Sequence, residues 1–362
     1  MLPLESRMPT RRSFLQAMAV SGAAASGLAA QRTAGEARSQ SFAMDAMGEL
    51  RPEYEPSLIR DMLASGLRSI TITLCDPKPV GDEALALAID SLSQHDRYLA
   101  GNPQFFVKAT SVADVERARR EGKLAVFYLY QNTAQFGRET GRVDLFHRLG
   151  LRSCQLTYND RNLAGAGCDQ EGGLSPFGRE LIARMNERRM LLDLSHANMQ
   201  TMADAIAASK APVIISHTAC MAVHRHRRNT TDENLRAVAA RGGVVGICQM
   251  RPFLTHRKAD NLDAYFDHLL HAVRVAGIEH VCIGSDRDHR VIRLSPEYLA
   301  ELKREEGTQV TDDELPYFID ALNGPRRMEV VRDGLSRRGL SASDVEKVMA
   351  GNLLRLYRDA IG

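Results

Sequence analysis

Two short apolar runs, each ending in Ser-His, constrain the fold of this chain more than any other feature. Residues 190–196 and 212–217 are brief, aliphatic and without regular polar alternation, which is typical of strands buried on both faces. The segment between them, residues 199–209, has a helical pattern. A parallel strand pair needs a crossover of this kind, so the unit is strand, helix, strand. His196 and His217 therefore occupy equivalent strand ends.

The same alternation of strand and helix repeats along the chain. Further strand-like runs occur at residues 41–47, 68–74, 123–130, 152–158, 244–249 and 280–286, with a short extra run at 105–110. Eight principal strand and helix units plus one accessory strand predict an α/β fold, a single TIM-type (β/α)8 barrel with extra C-terminal helices. A doubly wound open sheet is the alternative, but no phosphate-binding glycine fingerprint follows the first run.

Composition narrows the classes of function. The 362 residues, 44% hydrophobic and 25% charged, are enough for a single large core. A net charge of +2 gives no electrostatic basis for binding nucleic acid. Tryptophan is absent and aromatic residues make up only 6%, which argues against stacking platforms for bases. We therefore expect no nucleic-acid partner.

The amino terminus resembles an export signal. A basic pair, Arg11 and Arg12, precedes Phe-Leu and an Ala/Gly-rich stretch at 17–30, which is the pattern of a twin-arginine signal. The stretch is too short and too weakly apolar for an integral membrane anchor. We predict a twin-arginine-type export signal and linker over 1–37, a barrel domain over 38–362, and a periplasmic or secreted protein. The alternative is a chance arginine pair before a polar tail.

The six cysteines fit the barrel core better than a disulfide framework. Five lie in or beside strand-like runs and one lies in a glycine-rich loop. An exported protein has access to an oxidising compartment. These positions are nevertheless typical of small buried hydrophobic residues, and no Cys-x-x-Cys zinc spacing occurs. We expect unpaired cysteines.

A third strand-like run ends in a carboxylate. The apolar residues after His280 lead through Gly-Ser to Asp286. In a closed α/β barrel the carboxyl ends of the strands form one rim, where inward-pointing side chains converge. The neutral imidazoles of His196 and His217, together with a carboxylate, are a donor set suited to zinc. The alternative is that both histidines only cap their strands.

Six spaced blocks of sequence form a recognisable pattern. They are residues 173–180, 193–196, 209–217, 228–232, 242–246 and 284–288. In this order the blocks resemble the membrane (renal) dipeptidase family of zinc peptidases, within the amidohydrolase superfamily. The resemblance covers nearly all of the chain after the signal. It implies a (β/α)8 barrel with two zinc ions at its mouth, a small dipeptide-like substrate and, since members are often dimers, a homodimer.

Four positions carry over the functional residues that the resemblance implies. His196 and His217 match the two histidines of one metal site, and Asp286 matches the aspartate after the last strand. Asp286 would also accept the catalytic proton. Arg228 matches the arginine expected to hold the substrate carboxylate.

Other positions depart from the family pattern. Where the family has His-x-Asp after the first strand, this chain has Met47, Gly48 and Glu49, and the bridging glutamate aligns with Gln131. A thioether is a poor zinc ligand, and an amide oxygen carries no charge to hold two dications together. We therefore expect at most one tightly held metal ion, zinc, with Gln131 and Glu49 as further candidate ligands. The histidine of the family's Thr-His block aligns with Tyr158, which can still donate a hydrogen bond to the substrate.

Three functions are compatible with this altered site. The leading hypothesis is a metal-dependent hydrolase of an amide bond in a small carboxylate-bearing substrate, with Tyr158 and Asp286 as catalytic residues and Gln249 beside the substrate. The second is a catalytically inactive barrel that acts as a binding or maturation factor in an exported pathway. The third is isomerase or lyase chemistry, in which Tyr158, Gln131 and Glu49 would serve as acid, amide donor and base.

Overall fold

Parallel strands form one sheet that curves into a barrel. The computed structural model describes residues 42–306 and 310–362. Its strands, numbered in chain order, are β1 (Ala43–Gly48), β2 (Leu67–Thr73), β3 (Phe106–Lys108), β4 (Leu124–Tyr130), β5 (Leu151–Gln155), β6 (Leu191–Asp193), β7 (Ile214–Thr218), β8 (Val244–Ile247) and β9 (Val281–Ile283). Their order is β1-β2-β4-β5-β6-β7-β8-β9, and β3 pairs only with β4. The eight principal strands and the accessory strand are those expected from the sequence.

Helices connect successive strands. They are α1 (Pro56–Ala64), α2 (Gly81–Gly101), α3 (Val112–Arg120), α4 (Arg142–Arg148), α5 (Pro176–Glu187), α6 (Met199–Ala208), α7 (Asp232–Ala240), α8 (Arg251–Leu254), α9 (Leu262–Ala276), α10 (Pro296–Glu306), α11 (Arg327–Arg337), α12 (Ala342–Glu346) and α13 (Asn352–Ala360). A π-helical turn, Lys347–Gly351, joins α12 to α13. The predicted (β/α)8 barrel with extra C-terminal helices is confirmed.

Contacts beyond the ends of β1 and β9 bring the first and last strands together. The Asp286 backbone N–H donates to the Met47 carbonyl over 2.9 Å, and the Glu49 N–H donates to the Arg287 carbonyl over 3.2 Å. The fully buried carboxylate of Asp45 accepts from the backbone N–H and the hydroxyl of Ser285, at 2.8 and 2.6 Å. Burial raises the pKa of Asp45 to about 6, although these hydrogen bonds oppose the shift.

Several strand-like runs continue past the regular strands, among them the run at 280–286, which leaves the sheet after Ile283. The run at 152–158 leaves the sheet after Gln155, and the run at 190–196 leaves it after Asp193. His196 has φ 65° and Asp286 has φ 54°, a left-handed conformation that non-glycine residues rarely adopt. Such strained backbone is common at functional sites, and here it turns both side chains away from the strand direction.

All six cysteines are free, as expected from the sequence, and four of them are buried. They pack as small hydrophobic residues between the strands and helices. The predicted export signal at 1–37 lies outside the described residues. Within the described ranges, no helix combines the length and apolar character needed to cross a membrane.

Replacement of Gly246 by alanine tests the close packing of β8 on β7. A Cβ atom at Gly246 would lie 2.0 Å from the Ser216 carbonyl oxygen, whereas one at Gly101, at the end of α2, would meet no atom within 4 Å. We expect Gly246→Ala to lower the free energy of unfolding by about 1–3 kcal/mol or more, because overpacking against backbone forces the strands to shift. Gly101→Ala is the control and should be neutral or slightly stabilising. Urea unfolding of both variants measures the difference, and equal midpoints would contradict this packing.

Candidate active site

The strand ends open into a cavity of about 780 Å³. Most of the residues predicted to form the site line it, namely Glu49, Gln131, Tyr158, His196, Arg228 and Asp286. His217 is fully buried and contacts His196 rather than the open cavity. Gln249 is also fully buried and is not part of the lining, so its predicted role beside the substrate finds no support in its position.

The two imidazoles face each other edge to edge. The Nε2 atom of His196 lies 2.9 Å from the Nε2 atom of His217, with the rings inclined at 68°. This contact confirms that the two equivalent strand ends bring their histidines together. A neutral imidazole carries a proton on one ring nitrogen and a lone pair on the other. The partner of each Nδ1 atom therefore decides whether the facing Nε2 atom is protonated.

The partner of His196 is the side chain of Asn159. The Nδ1 atom of His196 lies 2.6 Å from the Asn159 Oδ1 atom, an acceptor that also receives the Cys168 thiol at 3.2 Å. Because a carbonyl oxygen cannot donate, the His196 Nδ1 atom carries the proton. In the neutral ring the Nε2 atom then presents a lone pair towards His217.

His217 has the same tautomer for a different reason. The Ser216 hydroxyl donates to the Asp193 Oδ2 atom over 2.5 Å and therefore accepts from the His217 Nδ1 atom, 2.8 Å away. The Asp193 Oδ1 atom accepts from the backbone N–H groups of Ser195 and Ser216, each at 3.0 Å. The Ser216 hydroxyl has a single hydrogen, which it gives to Asp193, so the direction of the chain is fixed. The His217 Nε2 atom also carries a lone pair.

Two lone pairs that face each other at this distance repel unless a cation lies between or beside them. Burial lowers the pKa of His196 well below its usual value, and the charge of Arg228 lowers it further. Burial also lowers the pKa of His217, although the charge of Asp286 opposes the shift. A proton is therefore disfavoured as the shared cation. The neutral imidazole pair fits a divalent metal ion, which binds through such lone pairs.

The remaining predicted ligands are less well placed. Within residues 42–306 and 310–362, no group of three or more His, Cys, Asp or Glu side chains is arranged to hold a metal ion. The Glu49 carboxylate lies 2.6 Å from the Arg51 guanidinium, which balances its charge. Asp286 acts electrostatically on His217, and Gln131 lines the same cavity. The roles of these three residues as ligands stay predictions.

Two further side chains shape the space around His196. The Tyr158 ring stacks on the His196 imidazole, with centroids 4.3 Å apart and planes inclined at 26°. The Arg228 guanidinium lies over the Phe253 ring at 5.5 Å, and among the described residues its buried Nη2 atom has no hydrogen-bond partner. The backbone of Arg228 is fixed, since its carbonyl accepts from the Thr218 hydroxyl over 3.0 Å.

Sequence reasoning missed the contributions of Asn159 and Ser216. Both hold an imidazole in the tautomer that leaves Nε2 bare. Asn159 opens the glycine-rich loop after β5, and its position directly after Tyr158 was the only available signal. Ser216 precedes His217 as Ser195 precedes His196. The sequence shows this repeated Ser-His pair but not that Ser216 fixes the tautomer of His217.

Comparison with known proteins identifies the family of this chain. The model of the membrane dipeptidase family, peptidase family M19, matches residues 56–293. The chain is 30% identical over 252 residues to a dipeptidase of Claviceps purpurea, covering 68% of this chain and 53% of that relative. The chain thus spans about half the length of the curated relative it matches.

Solved structures share the fold over almost their whole length. An amidohydrolase from Pseudomonas aeruginosa superposes with a TM-score of 0.79 and 28% identity, covering 90% of this chain and 98% of that chain. A metallopeptidase from Rhodobacter sphaeroides, solved with a phosphinate mimic of the dipeptide L-Ala-D-Ala, has a TM-score of 0.75 and 18% identity, covering 88% and 99%. With the family model matching most of the barrel, the chain belongs to the membrane dipeptidase family of metallopeptidases, peptidase family M19.

Proposed function

We propose that this protein is a hydrolase that uses one zinc ion to cleave an amide bond in a small, carboxylate-bearing, dipeptide-like substrate. The observation that carries the proposal is the pair of Nε2 lone pairs of His196 and His217, 2.9 Å apart in a buried site. Membership of a metallopeptidase family supports it. The dipeptide mimic bound by the Rhodobacter relative supports a substrate of this size.

His196 and His217 would hold the ion, with Asp286, Gln131 and Glu49 as the candidate remaining ligands. A zinc ion held there would supply Lewis-acid chemistry, which lowers the pKa of a bound water to about 7 and would polarise the substrate carbonyl. The chain fixes the two imidazoles before any metal arrives, because Asn159 and Ser216 already select the required tautomers.

Three side chains at the cavity would act on the substrate. The Arg228 guanidinium, buried and without a partner for Nη2 among the described residues, would bind the substrate carboxylate through two parallel hydrogen bonds. A carboxylate oxygen of Asp286 would accept the proton of the attacking water and return it to the leaving amine. The Tyr158 hydroxyl would donate a hydrogen bond to the developing oxyanion.

The other half of the mouth has lost the groups that would hold a second ion. Met47 offers a thioether and Gln131 an uncharged amide, while Glu49 is paired with Arg51. Two divalent ions a few ångströms apart need bridging negative charge to offset their repulsion. We therefore assign one ion to the site.

A second candidate function is a catalytically inactive barrel that binds a ligand or partner in an exported pathway. One observation favours it: in the described part of the chain no third acidic, thiol or imidazole side chain joins the two histidines in a metal-holding group. The twin-arginine pattern within residues 1–37 supports export to the periplasm under either function.

Metal analysis of the purified protein separates the two candidates. We expect about one zinc ion per chain by mass spectrometry, and at least about 100-fold weaker zinc binding for His196→Ala and His217→Ala, because loss of an outer-shell partner alone costs 10–100-fold. His147→Ala, a half-buried histidine on α4, is the matched control and should bind zinc as the parent does. A folded parent protein that binds no zinc would leave only the inactive barrel.

Restoring the family ligands tests the assignment of a single ion. We expect the triple variant Met47→His, Glu49→Asp and Gln131→Glu to bind two zinc ions, because it returns an imidazole and a bridging carboxylate to the mouth. Its hydrolysis of dipeptides should exceed that of the parent by about tenfold or more. The single variant Met47→His is the control and should still bind one ion. A triple variant with one ion would contradict this explanation of the lost site.

A further inference from the structure

A second buried arginine faces the same cavity with no partner for part of its charge. Arg287 lines the cavity, yet only 4% of its surface is exposed. Its Nη1 atom makes only long contacts, 3.4 Å to the Met250 sulfur and 3.5 Å to the Tyr317 carbonyl. Its Nη2 atom is shielded from solvent and has no hydrogen-bond partner among the described residues. The guanidinium also lies over the Phe318 ring, 5.9 Å from its centroid, but a buried cation without a full set of hydrogen bonds is costly.

Three of the carboxylates that line the mouth are engaged by other groups, and a further one, Asp286, acts electrostatically on His217. The Asp288 carboxylate accepts from Arg290 at 2.8 Å and from the Tyr54 hydroxyl at 2.7 Å. Glu49 and Glu301 both pair with Arg51 at 2.6 Å. These acidic groups are therefore balanced by cations other than Arg287. An anion that enters the cavity would supply Arg287 with the negative charge and the hydrogen-bond acceptors that it lacks among these groups.

The backbone holds Arg287 where it can act with Arg228. The Arg287 carbonyl accepts from the Glu49 N–H at 3.2 Å and from the buried Arg327 guanidinium at 3.3 Å, so the residue is anchored where β1 and β9 meet. Its guanidinium contacts Met250, the N-cap residue of α8, and the Arg228 guanidinium lies over Phe253 of that helix. Residues three apart on a helix are neighbours, so the two arginines flank one turn of α8.

We infer that the substrate carries two anionic groups, and that Arg287 is a specificity-determining residue that binds the second. Given the proposed function, Arg228 takes the α-carboxylate and Arg287 takes an acidic side chain, so the substrate class is dipeptides that contain aspartate or glutamate. The planar guanidinium fork matches a carboxylate with two hydrogen bonds, whereas an uncharged amide of the same shape makes weaker ones. A small rotation of the guanidinium would turn Nη2 towards the ligand.

Binding to metal-free protein tests the inference without any turnover. The probes are two isosteric pairs of dipeptides, Ala-Asp with Ala-Asn and Asp-Ala with Asn-Ala, titrated calorimetrically into chelator-treated protein. We expect the acidic member of at least one pair to bind about tenfold or more tightly, because charged hydrogen bonds are roughly twice as strong as neutral ones. Arg287→Met should reduce this preference to less than about twofold, and Arg228→Met should weaken both members of each pair by a similar factor.

Arg293→Met is the charge-matched control, since Arg293 also lines the cavity but is exposed. It should keep the preference for the acidic dipeptide, which separates a direct contact from a general change in potential. If Arg287→Met does not fold, as judged by circular dichroism, Arg287→Gln takes its place, because it removes the charge and keeps polar atoms near Tyr317.

The inference is overturned by equal affinity of the parent protein for acidic and amide dipeptides, or by a preference that survives the loss of Arg287. Turnover is measured separately with zinc-loaded protein. A preference for acidic dipeptides without any hydrolysis would refute the proposed function and leave the role of Arg287 intact. Hydrolysis without a preference for acidic dipeptides would refute the role of Arg287 and leave the proposed function intact.

Discussion

Two buried carboxylates fix the strand ends on which the rest of this site depends. Asp193 accepts from the backbone N–H two residues further on and from the N–H and hydroxyl of Ser216 on the neighbouring strand. Asp45 makes the same three contacts, to the Met47 N–H and to the N–H and hydroxyl of Ser285. Each carboxylate is held in place by hydrogen bonds from backbone N–H and hydroxyl groups, and the nearby Arg327 adds electrostatic stabilisation at Asp45. One joins β6 to β7 and the other helps to bring β1 against β9.

These two buried carboxylates have different consequences for the chemistry of the site. The hydrogen bond to Asp193 orients the Ser216 hydroxyl, which in turn fixes the tautomer of His217. The Nε2 lone pair of His217 then points towards His196. The hydrogen bonds of Asp45 hold the segment that carries Met47 and leads to Glu49. Because Asp45 works through backbone groups and Ser285, it can hold the strand whatever side chains follow it. The strand end can therefore keep its position when those side chains differ.

The periodicity of apolar residues and the ends of the predicted strands were enough to predict the fold and the place of the two histidines. Contacts between side chains that are distant in sequence could not be predicted in this way. The apolar runs placed His196 and His217 at one rim because parallel strands end on the same side of a barrel. The contact of His196 with Asn159 spans a separation of 37 residues through an irregular loop, which no pattern encodes. Gln249 follows a strand as expected, but strand-end position alone did not tell that its side chain is fully buried and not among the residues that line the cavity.

Electrostatic balance explains how the part of the mouth around Met47 and Glu49 is stable. In a site with two metal ions, carboxylates at the ends of the first strands are neutralised by the ions themselves. Here the carboxylate of Glu49 is neutralised by Arg51, so that half of the mouth needs no metal to be stable. Arg287 adds positive charge beside it without a full complement of partners among the described residues. Positive charge at this part of the mouth thus comes from guanidinium groups, which attract anions but cannot activate a water as a metal ion does. Under the proposed function, that chemistry belongs to the ion held by the unprotonated Nε2 atoms of His196 and His217.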